Sequence, residues 1–234
     1  MMINSSIYWG CSNPSLTPWT VLSSSNGGLI HRFFDSSPFS PSNRYIALTH
    51  IINKEGSEVN LNNIRSAEVI LYDLYNNISN VIATTLAWDT QVGAHVQWGA
   101  NDNQLFYNTM SNTTTPSLPL AVLYDISTNQ SITLSSSVYH VHPKGSHIVT
   151  PDLTQIRFTQ LGYGVYTAGS MPNTNASQYN GIYITEIATN TTRLLVSLYE
   201  LAVAASIDPY TVPCYGISLH IYYYTYTILF IYTP

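Results

Sequence analysis

Three stretches of the 234-residue chain share one plan: Phe39-Ser-Pro-Ser-Asn-Arg-Tyr-Ile-Ala-Leu48, Trp98-Gly-Ala-Asn-Asp-Asn-Gln-Leu-Phe-Tyr107 and Val141-His-Pro-Lys-Gly-Ser-His-Ile-Val-Thr150. Each begins with a bulky apolar residue, continues with a turn of small or polar residues, and ends in an apolar run. A unit that recurs at intervals of tens of residues cannot bury its apolar face alone, so it must pack against neighbouring copies of itself. The three stretches therefore predict a repeat protein built from β-strands.

A second recurring segment, which is mostly apolar, follows each stretch. It contains an acidic residue near its end: Asp73, Asp125 or Glu186. These residues are 52 and 61 positions apart, slightly more than the roughly 40–50 residues of an ordinary four-stranded propeller blade. An acidic residue at one fixed position of a repeat favours turn capping over catalysis. We therefore predict an all-β fold, an incomplete β-propeller of four-stranded antiparallel blades with extended loops.

The composition supports strands and disfavours one class of partner. Apolar residues make up 45% of the chain and charged residues only 8%. The net charge is −5, and the seven Lys and Arg residues are scattered rather than clustered. Binding to a nucleic-acid backbone depends on clustered basic side chains, so nucleic acid is not expected as a partner.

Three regions are expected along the chain: an irregular segment or blade fragment at 1–28, propeller blades at 29–208, and an uncharged tail rich in Tyr, Ile and Thr at 209–234. Three interpretations of the tail remain open: an apolar strand block, an aberrant end produced by truncation or read-through, or a membrane anchor. An anchor needs roughly 20 mostly apolar residues, and the tyrosines of the tail disfavour it. One short helix is expected over Leu195–Ala205.

The N-terminal sequence lacks the basic and apolar regions of a secretory signal. A cytoplasmic location is therefore expected, and a membrane is disfavoured as a partner.

Polar residues crowd around two tryptophans in the block that precedes the second repeat. Asp89, Gln91, His95 and Gln97 all lie within the eleven residues that run from Trp88 to Trp98. Loops of this kind open near the central channel of a propeller, where polar groups meet a ligand and an aromatic ring stacks on a sugar. The alternative is structural: the tryptophans belong to the core between blades, and Gln97 bonds to backbone.

Two further patterns have both a functional and a structural interpretation. Arg32 and Asp35 form either a buried pair that holds a loop or a surface pair worth roughly 0–1 kcal/mol. Arg32 is retained as a ligand-binding candidate. His140 and His142 have the i, i+2 spacing of two metal ligands on one strand face, but no third ligand is identifiable, so a structural role is favoured.

Several of these motifs resemble those of a known family. His31-Arg-Phe-Phe-Asp35 is similar to the opening of oligogalacturonate-lyase-like, TolB-like propellers. The block Trp88-Asp-Thr-Gln-Val-Gly-Ala-His-Val-Gln-Trp98 resembles the Trp…Gln-x-Gly…Gln-Trp signature of the same family. Gly162-Tyr-Gly164, Gly181-Ile-Tyr183 and Leu194-Leu-Val-Ser-Leu198 resemble a later blade. The resemblance covers about residues 29–201 and implies a six-bladed fold, of which this chain supplies about three full units.

The resemblance also implies a metal, and here the chain departs from the family. Lyases of this kind hold manganese on His and Gln residues of later blades, whereas the only histidine beyond Leu201 is His220 in the tail. We therefore assign no catalytic or metal-binding residue and expect no cofactor; manganese would apply only to a lyase.

Three functional hypotheses follow from these observations. We favour a truncated family member that acts as a binding or scaffold module, with a small molecule such as a carbohydrate, or a protein, at the channel mouth. The alternative is a metal-dependent oligogalacturonate lyase that acts by β-elimination, for which few basic residues are present to hold the acidic substrate. The third is a non-functional remnant destabilised by unpaired strand edges.

Overall fold

A computed structural model of the protein describes residues 27–33, 35–52, 66–113, 117–158, 160, 162–166 and 173–210, and the backbone of four short strands outside these ranges. The strands are β1 (Ser6–Tyr8), β2 (Trp19–Val21), β3 (Gly27–Ile30), β4 (Tyr45–Ile52), β5 (Ala67–Asp73), β6 (Ile78–Thr85), β7 (Gln97–Trp98), β8 (Gln104–Met110), β9 (Pro119–Asp125), β10 (Gln130–Thr133), β11 (His140–Val141), β12 (His147–Pro151), β13 (Gly181–Glu186), β14 (Thr191–Ser197), β15 (Ser218–Ile221) and β16 (Ile228–Ile231). The helical elements are a 3-10 turn at Ile156–Phe158 and the helix α1 at Leu198–Ala204.

Twelve of these strands form three antiparallel four-stranded sheets, each a simple meander: β3–β6, β7–β10 and β11–β14. We call them blades 1, 2 and 3. The predicted all-β fold of four-stranded propeller-type blades is confirmed. The strands β1 and β2 pair with each other, as do β15 and β16. The remainder of the segments 1–28 and 209–234 lies outside the described residues, and the division into three regions stays a prediction.

The blades pack against one another through their apolar faces. One core cluster combines Ala47, Val69 and Leu71 of blade 1 with Leu105 and Tyr107 of blade 2, together with other apolar residues. A second cluster joins blades 2 and 3 and contains Phe106, Ala121, Leu134, Val138, Val141 and Ile148. Each repeat thus covers the apolar face of the next, as the repeat pattern predicts.

The recurring acidic residues cap the turns between the third and fourth strands in two of the three blades. Asp73 Oδ1 accepts hydrogen bonds from the amides of Tyr75 and Asn76, and Asp125 Oδ1 accepts equivalent bonds from the amides of Ser127 and Thr128. This confirms the turn-capping prediction for both aspartates.

Blade 3 differs at the same turn. Glu186 accepts a hydrogen bond from the Thr189 hydroxyl at 2.9 Å instead. In all three blades the turn ends on an asparagine with positive φ, namely Asn77, Asn129 and Asn190, a conformation that asparagine tolerates better than most residues.

The predicted helix is shorter than expected at its start. Residues 195–197 belong to β14, because this strand stays paired with β13 as far as Ser197 opposite Gly181. The helix then begins after Ser197, whose hydroxyl accepts a hydrogen bond from the Glu200 amide while the Glu200 carboxylate accepts from the Ser197 amide. This capping box fixes the helix start.

Gly181→Ala should destabilise blade 3 because the position has no room for a side chain. A Cβ there would lie 2.0 Å from the Val196 carbonyl oxygen and 2.8 Å from Ser197 Cα, both backbone atoms. We expect a loss of about 1–3 kcal/mol in the free energy of unfolding, measured by urea denaturation. Gly28→Ala is the matched control, because a Cβ at Gly28 meets no atom within 4 Å. Equal stability of the two variants would contradict the β13–β14 register.

Candidate functional site

A loop of blade 1 projects towards the other two blades. The innermost strand β3 ends at Ile30, and its pairing with β4 resumes only at Phe39, which is bridged to Ile46. The intervening residues carry Arg32 and Asp35. We call the described part of this segment, residues 31–33 and 35–38, the Arg32 loop.

The Arg32 side chain is 1% exposed and contacts both neighbouring blades. Its Nη1 donates to the Tyr139 carbonyl oxygen and lies 3.1 Å from His95 Nδ1. Its Nη2 donates to Asp35 Oδ2 at 3.0 Å. The guanidinium carbon also lies 4.9 Å from the centroid of the Tyr139 ring, within cation–π range. Arg32 and Asp35 therefore form a buried pair, which is one of the two interpretations of their spacing in the sequence.

The two buried histidines lie on either side of this guanidinium. His140 Nε2 is 3.1 Å from Asp35 Oδ2 and 3.3 Å from Arg32 Nη2. A carboxylate only accepts, so His140 carries its proton on Nε2 and donates to Asp35. His95 accepts from Arg32 at Nδ1, so its proton is on Nε2, which lies 3.6 Å from Asp89 Oδ2.

Asp89 organises the loop that positions His95. Its Oδ1 accepts from the amides of Gln91 and Val92, and its Oδ2 accepts from the Gly164 amide at 3.0 Å. His95 itself has a φ of +56°, a left-handed conformation that costs a non-glycine residue roughly 1–3 kcal/mol. The surrounding hydrogen bonds hold this buried histidine in place. We call this group the Arg32 cluster: Arg32, Asp35, Asp89, His95, Tyr139 and His140.

Burial and charge together perturb the titration of the cluster. Burial lowers the pKa of both His95 and His140, and the nearby carboxylates offset only part of this effect. Burial alone would raise the pKa of Asp35, but the hydrogen bond from His140 and the charge of Arg32 outweigh it and hold that pKa well below its usual range. Burial also raises the pKa of Tyr139 to about 12. At neutral pH Asp35 is therefore ionised, and the imidazoles of His95 and His140 are neutral.

Acidification should destabilise the protein through these histidines. A folded state with lowered histidine pKa values binds fewer protons than the unfolded chain below about pH 6.5, so its stability falls as the pH falls. We expect the free energy of unfolding to decrease between pH 7.5 and 5.5, by up to about 1.4 kcal/mol per pH unit for each histidine. Protonation of Asp35 also lowers the free energy of unfolding as the pH falls, but only below about pH 4.

Urea denaturation at several pH values measures this slope. His140→Gln should flatten it, because the variant no longer carries an imidazole that must stay neutral beside Arg32. An identical slope in the wild type, His140→Gln and His95→Gln would contradict the assignment.

The other predicted site residues lie in three kinds of position: in the core, between two blades and at the surface. Trp88 is 5% exposed and belongs to the core between blades 1 and 2, so it is not placed at a channel mouth where a sugar could stack on it. Gln97 is buried and joins two blades: Nε2 donates to the carbonyl oxygens of His95 and Tyr139, and Oε1 accepts from the Val141 amide. Gln91 is exposed.

A cleft of about 570 Å³ opens where the innermost strands of the three blades come together. Its residues come from the Arg32 loop, from the turn that precedes β4 in blade 1, from blade 2 and from blade 3: Asp35, Ser36, Ser37, Phe39, Ser40, Pro41, Asn43, Gln97, Trp98, Gly99, Val141 and Pro143. Asp35 connects this cleft with the Arg32 cluster. This volume falls within the range of ordinary small-molecule sites.

Three cleft residues were not predicted as site residues although the sequence contains a signal for them. Phe39, Trp98 and Val141 are the bulky apolar residues that begin the three repeat stretches. Their partners Ile46, Leu105 and Ile148 occupy equivalent positions, so the three residues share one position in the blade. Superimposing the repeats would have placed all three on the innermost strands.

His140 and His142 lie in different environments in the structure. His140 is buried in the Arg32 cluster, whereas His142 lies in the β11–β12 turn, where its Nδ1 accepts from the Lys144 amide at 3.2 Å. Among the described residues, no group of three or more His, Cys, Asp or Glu side chains could hold a metal ion. The guanidinium of Arg32 instead occupies the space between His95 and His140.

The fold and the cleft define a propeller-type protein with a concave site at the junction of three blades. No family model matches the sequence, and no curated protein does. A crystal structure of oligogalacturonate lyase from Vibrio parahaemolyticus is similar at 11% identity with a TM-score of 0.48, covering 84% of this chain and 47% of the lyase. An oligogalacturonate lyase in complex with manganese is similar at 14% identity with a TM-score of 0.39, covering 73% of this chain and 36% of the other. The chain thus spans less than half of either lyase structure.

Among the described residues, no helix has the length and apolar character that a membrane span requires.

Proposed function

We propose that this protein is a propeller-type binding module that holds a small polar molecule in the cleft between its three blades. The observation that carries this proposal is the convergence of Phe39, Trp98 and Val141, one residue from each blade, beside the carboxylate of Asp35. A concave site with apolar walls and a few fixed polar groups is the usual form of a small-molecule site. The buried contacts of Arg32 preorganise the site, since they fix the loop that supplies Asp35.

Filling the cleft tests this proposal. Ser37 is exposed and lines the cleft, so Ser37→Trp should fill part of it. Ligand-observed NMR with a library of sugars, polyols, amino acids and nucleosides should detect binding to the wild type, and Ser37→Trp should abolish it.

Ser131→Trp provides the matched control. Ser131 is an exposed serine on the outer strand β10, away from the cleft. This variant should bind as the wild type does. Ligands that bind Ser37→Trp as well as they bind the wild type would contradict a site in the cleft.

The lyase alternative stays a prediction. The described residues do not supply a ligand set for manganese, and we derive no step through that metal. Formation of unsaturated product from digalacturonate with manganese, above a metal-free control, would favour the lyase over the binding module. Membership of the TolB-like class, truncation and a cytoplasmic location likewise stay predictions.

A further inference from the structure

The contact between Arg32 and His95 depends on the protonation state of the histidine. Arg32 Nη1 lies 3.1 Å from His95 Nδ1 and donates to it, because a guanidinium has donors and no acceptor. His95 is 1% exposed, so its surroundings in the protein, rather than bulk water, determine where its protons lie. A proton on Nδ1 would place two N–H groups opposite each other at this distance. Protonation of His95 and its hydrogen bond from Arg32 therefore exclude each other.

The groups around His95 favour its neutral form at neutral pH. Asp89 Oδ2 lies 3.6 Å from Nε2 and favours the charged form, but burial outweighs it and lowers the pKa of His95. Burial raises the pKa of the two neighbouring tyrosines, so both are neutral. The titratable and charged groups around His95 are Asp89 on its own loop, Arg32 and Asp35 on the Arg32 loop, Tyr139 and His140 at the start of blade 3, and Tyr163 between β12 and β13.

The other two buried histidines near the loop respond differently to acid. His140 Nε2 already donates to Asp35 Oδ2 at 3.1 Å, so a further proton would bind at Nδ1 and leave that bond in place. His31 Nε2 lies 3.0 Å from the Ser36 carbonyl oxygen and donates to it, so the same holds there. Of the three histidines, His95 is the one whose contact uses the lone pair that a proton would take.

This contact holds a loop that forms one wall of the cleft. The Arg32 loop leaves β3 after Ile30 and returns to the sheet at Phe39. Between these points Arg32 links it to blade 2 through His95 and to the Tyr139 carbonyl oxygen at the start of blade 3. Loss of these bonds would free the loop without breaking a β-ladder. The loop supplies three residues to the cleft: Asp35, Ser36 and Ser37.

We propose that the contact between Arg32 and His95 is an acid-sensitive latch: protonation of His95 releases the Arg32 loop from blade 2 while the three blades stay folded. The cleft then has this wall at neutral pH and loses it in acid. The latch goes beyond the proposed function, because it needs no ligand.

The direction of the pH dependence follows from proton binding. Once the loop is released, water reaches the imidazole, which titrates near the ordinary histidine pKa of about 6.5. The latched state binds fewer protons than the released state below that pH, so acid favours release. One histidine of this kind raises the ratio of released to latched protein about ten-fold between pH 7.5 and 5.5.

Native-state proteolysis measures the released fraction. Thermolysin cleaves before bulky apolar residues, and the bond between Arg32 and Phe33 becomes accessible to it when the buried Arg32 side chain leaves its site. Mass spectrometry follows cleavage of this bond alone. Dividing its rate by that of an unstructured peptide with the sequence of residues 29–38 removes the pH dependence of the protease. We expect the ratio to rise at least ten-fold from pH 7.5 to 5.5.

Urea separates release of the loop from unfolding of the blades. Local release exposes little surface, so the cleavage ratio should change little below about 1 M urea. Cleavage that requires global unfolding should instead increase with urea as steeply as the unfolding equilibrium does.

His95→Asn removes the titrating group and keeps the acceptor. The Oδ1 atom of asparagine takes the position of Nδ1 and accepts from Arg32, and asparagine tolerates the positive φ of this residue. We expect the rise in the cleavage ratio between pH 7.5 and 5.5 to be about ten-fold smaller than in the wild type. His147→Gln is the matched control: it changes a histidine on β12, outside the Arg32 cluster, and should leave the rise unchanged.

An equal rise in the wild type and in His95→Asn would overturn the latch, as would a wild-type ratio that does not increase in acid. A steep urea dependence would also overturn it, because the loop would then be released only when the blades unfold. If His95→Asn does not fold, the pH and urea dependence of the wild type decide the matter. None of these results bears on ligand binding in the cleft, which Ser37→Trp tests, so the two failures are distinguishable.

Discussion

Arg32→Met should lower the free energy of unfolding by about 3–5 kcal/mol, because it removes one partner of a buried ion pair and leaves the Asp35 carboxylate uncompensated. The Tyr139 carbonyl oxygen also loses its donor from this arginine. For a chain of this size, such a loss corresponds to a decrease of roughly 6–20 °C in Tm. Urea and thermal denaturation at pH 7 measure both quantities.

Two further variants separate charge from geometry. Arg193→Met changes an exposed arginine on β14 and should cost less than about 0.5 kcal/mol. Arg32→Lys keeps the charge but cannot span the same set of partners, because lysine lacks the planar fork of arginine. It should fall between the wild type and Arg32→Met. If Arg32→Met is as stable as Arg193→Met, Arg32 does not join the three blades.

Phe106→Ala should have a comparably large effect, about 3–5 kcal/mol, because Phe106 is fully buried in the cluster that joins blades 2 and 3. The deleted ring leaves a cavity between two blades that cannot easily close. Urea denaturation, monitored by tryptophan fluorescence, measures the loss.

Phe33→Ala is the control for this prediction, since Phe33 is 38% exposed. It should cost far less than Phe106→Ala, and equal costs would contradict the core between blades. The same experiment tests the hypothesis of a non-functional remnant: a wild-type protein that unfolds without a cooperative transition would favour the remnant.

The fold was predictable because its determinants are periodic. The repeat stretches indicate where strands begin, and the apolar run of the first stretch is found at the start of β4, Tyr45–Ile52. The capping aspartates Asp73 and Asp125 mark the turns through local hydrogen bonds that the sequence alone implies. Local chemistry of this kind does not depend on how the blades are arranged.

The site was only partly predictable because its contacts are non-local. The spacing of Arg32 and Asp35 indicates a pair, but it cannot reveal that His140, 108 residues after Arg32, lies against the same guanidinium. Nor does a local pattern distinguish an indole in the core, as Trp88 is, from an indole at the cleft, as Trp98 is. Both depend on which faces of neighbouring blades meet.

The helix start shows a similar competition. Residues 195–197 suit either a helix or a strand, and pairing of Ser197 with Gly181 selects the strand. The capping box of Ser197 and Glu200 was present in the sequence and would have placed the helix start correctly.

A loop of blade 1 contacts blade 3 across the junction of the three blades, through Asp35 and His140. A double-mutant cycle with Asp35→Ala and His140→Ala measures this contact directly, since Asp35 Oδ2 and His140 Nε2 are 3.1 Å apart. We predict a coupling energy of at least about 1 kcal/mol in the free energy of unfolding. Additivity of the two substitutions within about 0.3 kcal/mol would contradict the arrangement of the blades described above.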